Sequence, residues 1–209
     1  MKFFKFAIIS FIVLNYLALG CATAPSQFSE YPSQPLSRFD RELFARALLH
    51  QQKGQIEPAI VLWNKFLQKN PNSFAARNNL GLLYYANDDV TQAVYNFDRG
   101  FKLRPEAVQL KMHLARVLKV RAGIFEENRE YDEAIRDLRR VAQLSPAKEQ
   151  EGVERQIEAL EDQIFEQVKK SDSTGEYQRF LKKYPHSPGN SDEARLWIKN
   201  GLQVDKMNN

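Results

Sequence analysis

The residue types equipped for chemistry are few and scattered. The three histidines, His50, His113 and His186, have no partner four residues away and no cysteine beside them, so no metal-ligand spacing is formed. Neither a glycine-rich phosphate cradle nor a Gly-x-Ser-x-Gly elbow occurs. The 26 carboxylates alternate with Lys and Arg, as on solvated helix faces. Their pairing at long range is not legible in sequence, which leaves a cell-wall-processing enzyme as the alternative function. The sole cysteine, Cys21, rules out an internal disulfide and a multi-cysteine zinc site. No cofactor and no metal are expected, and the chain is read as non-enzymatic.

The surroundings of Cys21 account for it better than nucleophilic catalysis does. Residues 1–6 carry Lys2 and Lys5 and no acid, residues 7–19 are apolar apart from Ser10 and Asn15, and Gly20-Cys21 follows. A basic start, a short apolar run and small residues describe a secretory signal peptide. The run falls short of the roughly 20 apolar residues that span a bilayer; an uncleaved anchor is the alternative. Leu17-Ala18-Leu19-Gly20-Cys21 resembles the lipobox of bacterial lipoproteins, although Leu19 stands where a small residue is more usual. The resemblance implies removal of residues 1–20, a diacylglyceryl group on the Cys21 thiol and acylation of the new amine. Several acyl chains on one residue, each methylene contributing roughly 0.8 kcal/mol, hold a protein on a membrane where one chain does not. Ala22 follows the cysteine in place of the Asp that favours the inner membrane in enteric-type bacteria, which implies the periplasmic face of the outer membrane.

Residues 21–37 form the lipidated cysteine and a tether: 22–37 hold three prolines and four serines without an apolar period. The charge argues against a nucleic-acid partner. Of the 30 basic residues, Lys2 and Lys5 belong to the leader, leaving 28 against 26 acidic ones.

Beyond the tether the pattern is helical and it recurs. Ala59-x3-Trp63, Ala93-x3-Phe97 and Ala134-x3-Leu138 are each followed by a proline eight residues later, at Pro71, Pro105 and Pro146. The first two sets are offset by 34 residues and the last two by 41. A 34-residue period with Ala, a large apolar residue and Pro at fixed places resembles the tetratricopeptide (TPR) repeat. The second copy is the fullest, with Leu80-Gly81-x2-Tyr84 ahead of Ala93, Phe97 and Pro105; Arg77 replaces the family's tryptophan. Small residues at Gly81 and Ala93 let two antiparallel helices approach, with Phe97 filling the space beside them. In the first copy Ser37-x2-Asp40 suits a helix start, and Gly54 a helix end. The third copy has seven extra residues, which lengthen one or both helices around residues 123–131 or form a bulged loop.

After Pro146, an apolar stripe at Val153, Ile157, Leu160, Ile164 and Val168 marks a helix of some twenty residues. It packs within the chain or serves as a dimer seam. Glu151 with Arg155 and Glu166 with Lys170 support it at i,i+4. Ser173, Tyr177 and Pro185 reproduce the spacing of Ala93, Phe97 and Pro105, giving a degenerate fourth copy. The segment from Tyr177 to Ala194 is similar to repeats in lipoproteins of outer-membrane β-barrel assembly. Residues 190–203 are expected to form a capping helix.

The expected fold class is therefore all-α, a TPR-type α-solenoid of about four helical hairpins plus a C-terminal capping helix. Three repeats would occupy 38–146, and the long helix, degenerate repeat and cap 147–209. The TPR resemblance implies a groove for an extended peptide or helix of a protein partner, lined by Arg41, Phe44, Leu48, Asn78, Asn79, Leu82, Tyr85, Gln109, Met112, His113 and Arg116. The carboxylate clamp of chaperone-binding relatives is not reproduced: Asn79 matches it, but Phe44, Leu48, Gln109 and His113 replace its other residues. The expected role is a membrane-anchored scaffold in envelope or appendage assembly, similar to pilotins or β-barrel assembly lipoproteins. A self-associating structural lipoprotein is a further alternative.

Overall fold

The computed structural model of the chain describes residues 36–171 and 173–207, with side chains described as far as residue 200. The leader, Cys21 and most of the tether lie outside the described residues. Nine α-helices and no strand occur among those described: α1 Arg38–Gln52, α2 Ile56–Lys69, α3 Phe74–Ala86, α4 Val90–Leu103, α5 Val108–Glu127, α6 Tyr131–Leu144, α7 Ala147–Ser171, α8 Thr174–Lys183 and α9 Asn190–Met207. None of them is long and apolar enough to cross a membrane. Two compact units part between Leu114 and Ala115, inside α5.

In the first unit, α1 pairs with α2 and α3 with α4. Ala47, Ala59, Ala76 and Ala93 are wholly buried, so the helices meet on methyl groups rather than large side chains. Beside them Phe44, Trp63 and Phe66 pack edge to face, with ring centroids 4.8, 5.3 and 6.0 Å apart. The Trp63 indole N–H donates to Gln51 Oε1 at 3.1 Å, so the buried ring leaves no donor unsatisfied. Gly81 has the role its spacing predicts: a β-carbon there would lie 2.6 Å from two ring carbons of the buried Phe97.

Helix starts and stops follow from side-chain chemistry. Ser37, Ser73 and Asp89 each accept a hydrogen bond from the backbone N–H three residues on, at 3.1, 3.3 and 3.0 Å. The end of α1 is a Schellman motif: Gly54 N–H donates to Gln51 O, and Gln55 N–H to His50 O, with Gly54 at φ 68°. The same pair of bonds ends α3 around Asp88 (φ 58°) and α5 around Arg129 (φ 64°). These three residues each stand five places before Ala59, Ala93 and Ala134, so the hairpin turn recurs even where the glycine does not. After the second helix, Asn70, Arg104 and Tyr184 accept from the N–H of Ser73, Ala107 and Ser187 across the intervening proline, which fits the second place of a β-turn.

The second unit contains the rest of α5 and α6 to α9. The seven extra residues of the third copy all enter the first helix: α5 has 20 residues against 13 in α3, while α6 keeps the 14 of α4. The stripe on α7 is covered inside the unit. Val153, Leu160 and Val168 are buried and Ile157 and Ile164 half-buried, while Phe165, next to the stripe, meets Phe180 and Tyr177 of α8 at 4.8 and 5.9 Å. A dimer seam is therefore not needed to shield it. Tyr177 in turn stacks on Trp197 of α9, the capping helix, at 4.2 Å. Glu151 and Arg155 pair as expected at 2.7 Å, whereas Glu166 takes Lys169 instead of Lys170, one position earlier.

Candidate partner-binding face

The residues assigned to the groove separate into two groups. Phe44 belongs to the aromatic core with Trp63 and Phe66. Asn78 is buried, and its Oδ1 lies 2.9 Å from Nδ1 of His113, whose ring packs 5.3 Å from that of Phe97. Asn79 is buried as well. Phe44, Asn78 and Asn79 are thus turned inward rather than outward: Phe44 fills the hairpin against Trp63 and Phe66 of α2, and Asn78 takes His113 on the first helix of the next hairpin. Leu48 is half-buried against the same core.

The others remain open to solvent. Arg41, Gln109, Met112 and Arg116 are exposed, and Leu82, Tyr85 and His113 are half-buried. Leu82 and Tyr85 are three residues apart on α3, as are Gln109 and Met112 on α5, so each pair shares a helix face. Position by position at the 34-residue offset, Phe44 and Asn78 are buried while Met112 is 53% exposed. The repeat sequence does not reveal this change, because it depends on what covers each first helix.

Charged groups that the sequence did not single out tie the second unit together. Arg121 on α5 holds Asp137 on α6 through two parallel bonds of 2.7 and 2.8 Å. Arg139 bonds the buried Glu161 at 3.0 Å. Asp132 accepts from Tyr184 Oη and pairs with Lys183. Burial and the bond to Asp132 push the Tyr184 phenol well above its ordinary range. Burial works against the Asp132 charge, but the bonds from Lys183 and Tyr184 prevail and bring its carboxyl below the usual range. These residues are 16 to 52 positions apart in sequence, with no pattern to signal their meeting. In the first unit Arg77, which replaces the family's tryptophan, gives Nη1–H to Asn96 Oδ1 at 3.2 Å, and burial lowers its guanidinium pKa. No group of three His, Cys, Asp or Glu residues placed to hold a metal occurs among the described residues.

These hairpins can be set beside known proteins. Residues 43–73 match the tetratricopeptide-repeat family. The matched stretch runs from the buried Leu43 on α1 to Ser73, the N-cap of α3, and so contains the turn at Gly54 and the Trp63 core. The fold is all-α and TPR-type, in agreement with the sequence expectation. Among solved structures, the chain is similar to MamA protein, with 18% identity over 82% of this chain and 94% of that one and a TM-score of 0.43. It is also similar to a Podosopora anserina putative kinesin light chain with nearly identical TPR-like repeats (17% identity, 79% and 95% covered, TM-score 0.34). A thermophilic TPR protein of Thermus thermophilus shows 13% identity over 90% and 95%, with a TM-score of 0.34. No curated protein matches the sequence.

Proposed function

We propose that this chain is a non-catalytic scaffold that recruits a protein partner through the first helices of its TPR-type hairpins. The observation that carries this reading is the pair Leu82 and Tyr85 on α3. Both keep surface in solvent although the hairpin core beneath them is already filled by Leu80, Leu83 and Phe97. Large apolar and aromatic side chains held on a rigid helix supply contact area at low entropic cost. Arg41, Gln109 and Met112 extend that chemistry in the first unit, and a mixed surface of this kind suits an extended peptide or a helix.

The lipobox supports the location. The chain is read as anchored by acyl chains on Cys21 at the periplasmic face of the outer membrane, where its partner belongs to envelope or appendage assembly. The proline- and serine-rich sequence of 22–37 reads as the linker between that anchor and the hairpins.

Two experiments test the two halves of this reading. Cys21→Ser moves the protein from the membrane to the soluble fraction if the anchor is right; retention in the membrane refutes it. Crosslinked pull-down from intact cells then compares native protein with Leu82→Ala/Tyr85→Ala. Loss of a stoichiometric partner with helicity intact supports the face, and a partner retained unchanged refutes it.

A further inference from the structure

The first unit has two edges of opposite charge. At one lie the first four residues of α1, α3 and α5, the last four of α2 and α4, and the links 70–73 and 104–107. These segments hold Arg38, Arg41, Lys69, Arg77, Lys102, Arg104 and Lys111 against two acids, Asp40 and Glu106. At the other lie the hairpin turns 53–55 and 87–89 with the adjoining four residues of each helix. There Lys53 is outnumbered by Glu57, Asp88 and Asp89. Helix dipoles account for part of this contrast, because cations suit the C-terminal ends of α2 and α4. They disfavour Arg38, Arg41, Arg77 and Lys111, which stand in first turns. Apart from Arg41, none of the seven cations belongs to the residues assigned to the groove.

Aromatic rings lie among these cations. Lys69 Nζ stands 4.4 Å and Lys65 Nζ 5.9 Å from the centre of the Phe39 ring, which is 47% exposed. One hairpin on, with both members 35 residues later, Arg104 stands 4.6 Å from the Phe74 ring. Val108, which opens α5, is exposed as well. Arg77 bonds Asn96, Lys102 pairs with Asp98 and Arg104 with Glu106. Arg38, Arg41, Lys65, Lys69 and Lys111 have no acid partner among the described residues. The chain also enters the unit here: Leu36 is buried in the core of the first hairpin and Ser37 caps α1. Cys21 is only 18 residues ahead of Phe39.

We infer that this edge docks on the anionic phospholipid surface that holds the Cys21 acyl chains, with Phe39 at headgroup level and Arg38, Lys65 and Lys69 on the lipid phosphates. An exposed aromatic ring ringed by cations is the chemistry of a membrane interface, and each part adds to binding there. The inference rests on the lipid anchor proposed above and adds an orientation to it: the basic edge of the first unit lies against the membrane and the acidic turns 53–55 and 87–89 point away. Once the anchor is in place the contact is intramolecular, so a small patch suffices. An acidic protein segment would answer the charge but would not explain why the patch lies where the chain arrives from Cys21.

The test reconstitutes the full lipoprotein, isolated from membranes, into phosphatidylcholine vesicles with and without phosphatidylglycerol, their acyl chains brominated near the headgroup. Flotation reads the anchor, and tryptophan quenching reads the contact. Phe39→Trp is compared with Leu49→Trp, which has the same 47% exposure at the far end of α1. The parent signal from the buried Trp63 and from Trp197, stacked on Tyr177, is subtracted. Both variants are expected to float with both compositions. Phe39→Trp is quenched when phosphatidylglycerol is present and released by salt, while Leu49→Trp is not quenched. Lys65→Gln/Lys69→Gln added to Phe39→Trp lowers the docked-to-free ratio roughly 25-fold, at about fivefold for each cation near an anionic surface. Circular dichroism shows that each variant is folded. A protein that floats with Phe39→Trp unquenched, or quenched alike in both compositions or alike with Leu49→Trp, overturns the inference and leaves the anchor standing. A protein that does not float refutes the anchor, and the inference falls with it. A photo-crosslinker at position 39 that captures a protein instead of lipid in intact cells also overturns it.

Discussion

Gly81→Ala sets two physical effects against each other, and the structure decides the winner. Alanine is the better helix former, by about 1 kcal/mol over glycine in a helix interior. At position 81, however, the new methyl carbon would sit 2.6, 2.6 and 2.8 Å from three ring carbons of Phe97. That ring is 2% exposed and has the His113 imidazole 5.3 Å away, so it has nowhere to retreat without moving α4. Overpacking of a filled core costs typically about 1–3 kcal/mol; three sub-contact distances to a rigid ring place this case at the upper end. Subtracting the propensity gain leaves a net loss of about 2 kcal/mol, or roughly 4–8 °C in melting temperature for a chain of this size. Gly152→Ala supplies the contrast. It lies in α7 with nothing within 4 Å of the added carbon, so propensity acts alone and stability rises by about 0.5–1 kcal/mol. Urea denaturation of the single variants, Phe97→Leu and Gly81→Ala/Phe97→Leu should show favourable coupling of at least about 1 kcal/mol, because the smaller side chain makes room. A Gly81→Ala protein as stable as the parent, or strictly additive energies in the cycle, would refute the close approach.

Four other perturbations follow from the geometry. Arg129 holds φ 64° without being glycine; since the left-handed region costs roughly 1–2 kcal/mol for an ordinary residue, Arg129→Gly should stabilise by up to about 1 kcal/mol in urea denaturation, and Gly54→Ala, at φ 68°, should destabilise by a similar amount. Asp137→Ala strands the partly buried Arg121 guanidinium and should cost about 2–3 kcal/mol, somewhat below the loss for a fully buried pair, with part of it recovered in Arg121→Met/Asp137→Ala. Tyr184, whose phenol is held above its ordinary range, contributes stability that is complete below about pH 10 and is lost as pH rises towards its folded value; Tyr184→Phe should flatten that alkaline limb in thermal melts. Asp132, held low, contributes stability above about pH 4 that is lost as pH falls through its lowered value, and Asp132→Asn should remove that acid dependence.

The hairpins were legible because their determinants are local. Ala59, Gly81, Ala93 and Ala134 mark close crossings, Pro71 and Pro105 mark stops, and Ser37 and Gly54 mark the limits of α1. The turn at Arg129 was readable only by counting back from Ala134, since its side chain gives no hint of a left-handed backbone. The length of the third copy fixed how many residues were added, but not that α5 takes them all; that depends on Leu118, Ala122 and Arg121 finding partners on the inner side. The partner-binding face was half-legible. Repeat position identifies the first helices, yet it assigns Phe44, Asn78 and Asn79 outward when packing draws them in. The Asp132–Lys183–Tyr184 and Arg121–Asp137 contacts join residues from separate helices and leave no trace in spacing.

The central claim is that the open surface of α3 and the start of α5 recruits a protein. A photo-crosslinking amino acid placed singly at positions 82, 85, 109 and 112, with 61 and 95 on the second helices as controls, tests it in intact cells. One shared adduct is expected from the first four positions and none from the two controls. An adduct confined to 61 or 95, or none at 82 and 85, would contradict it.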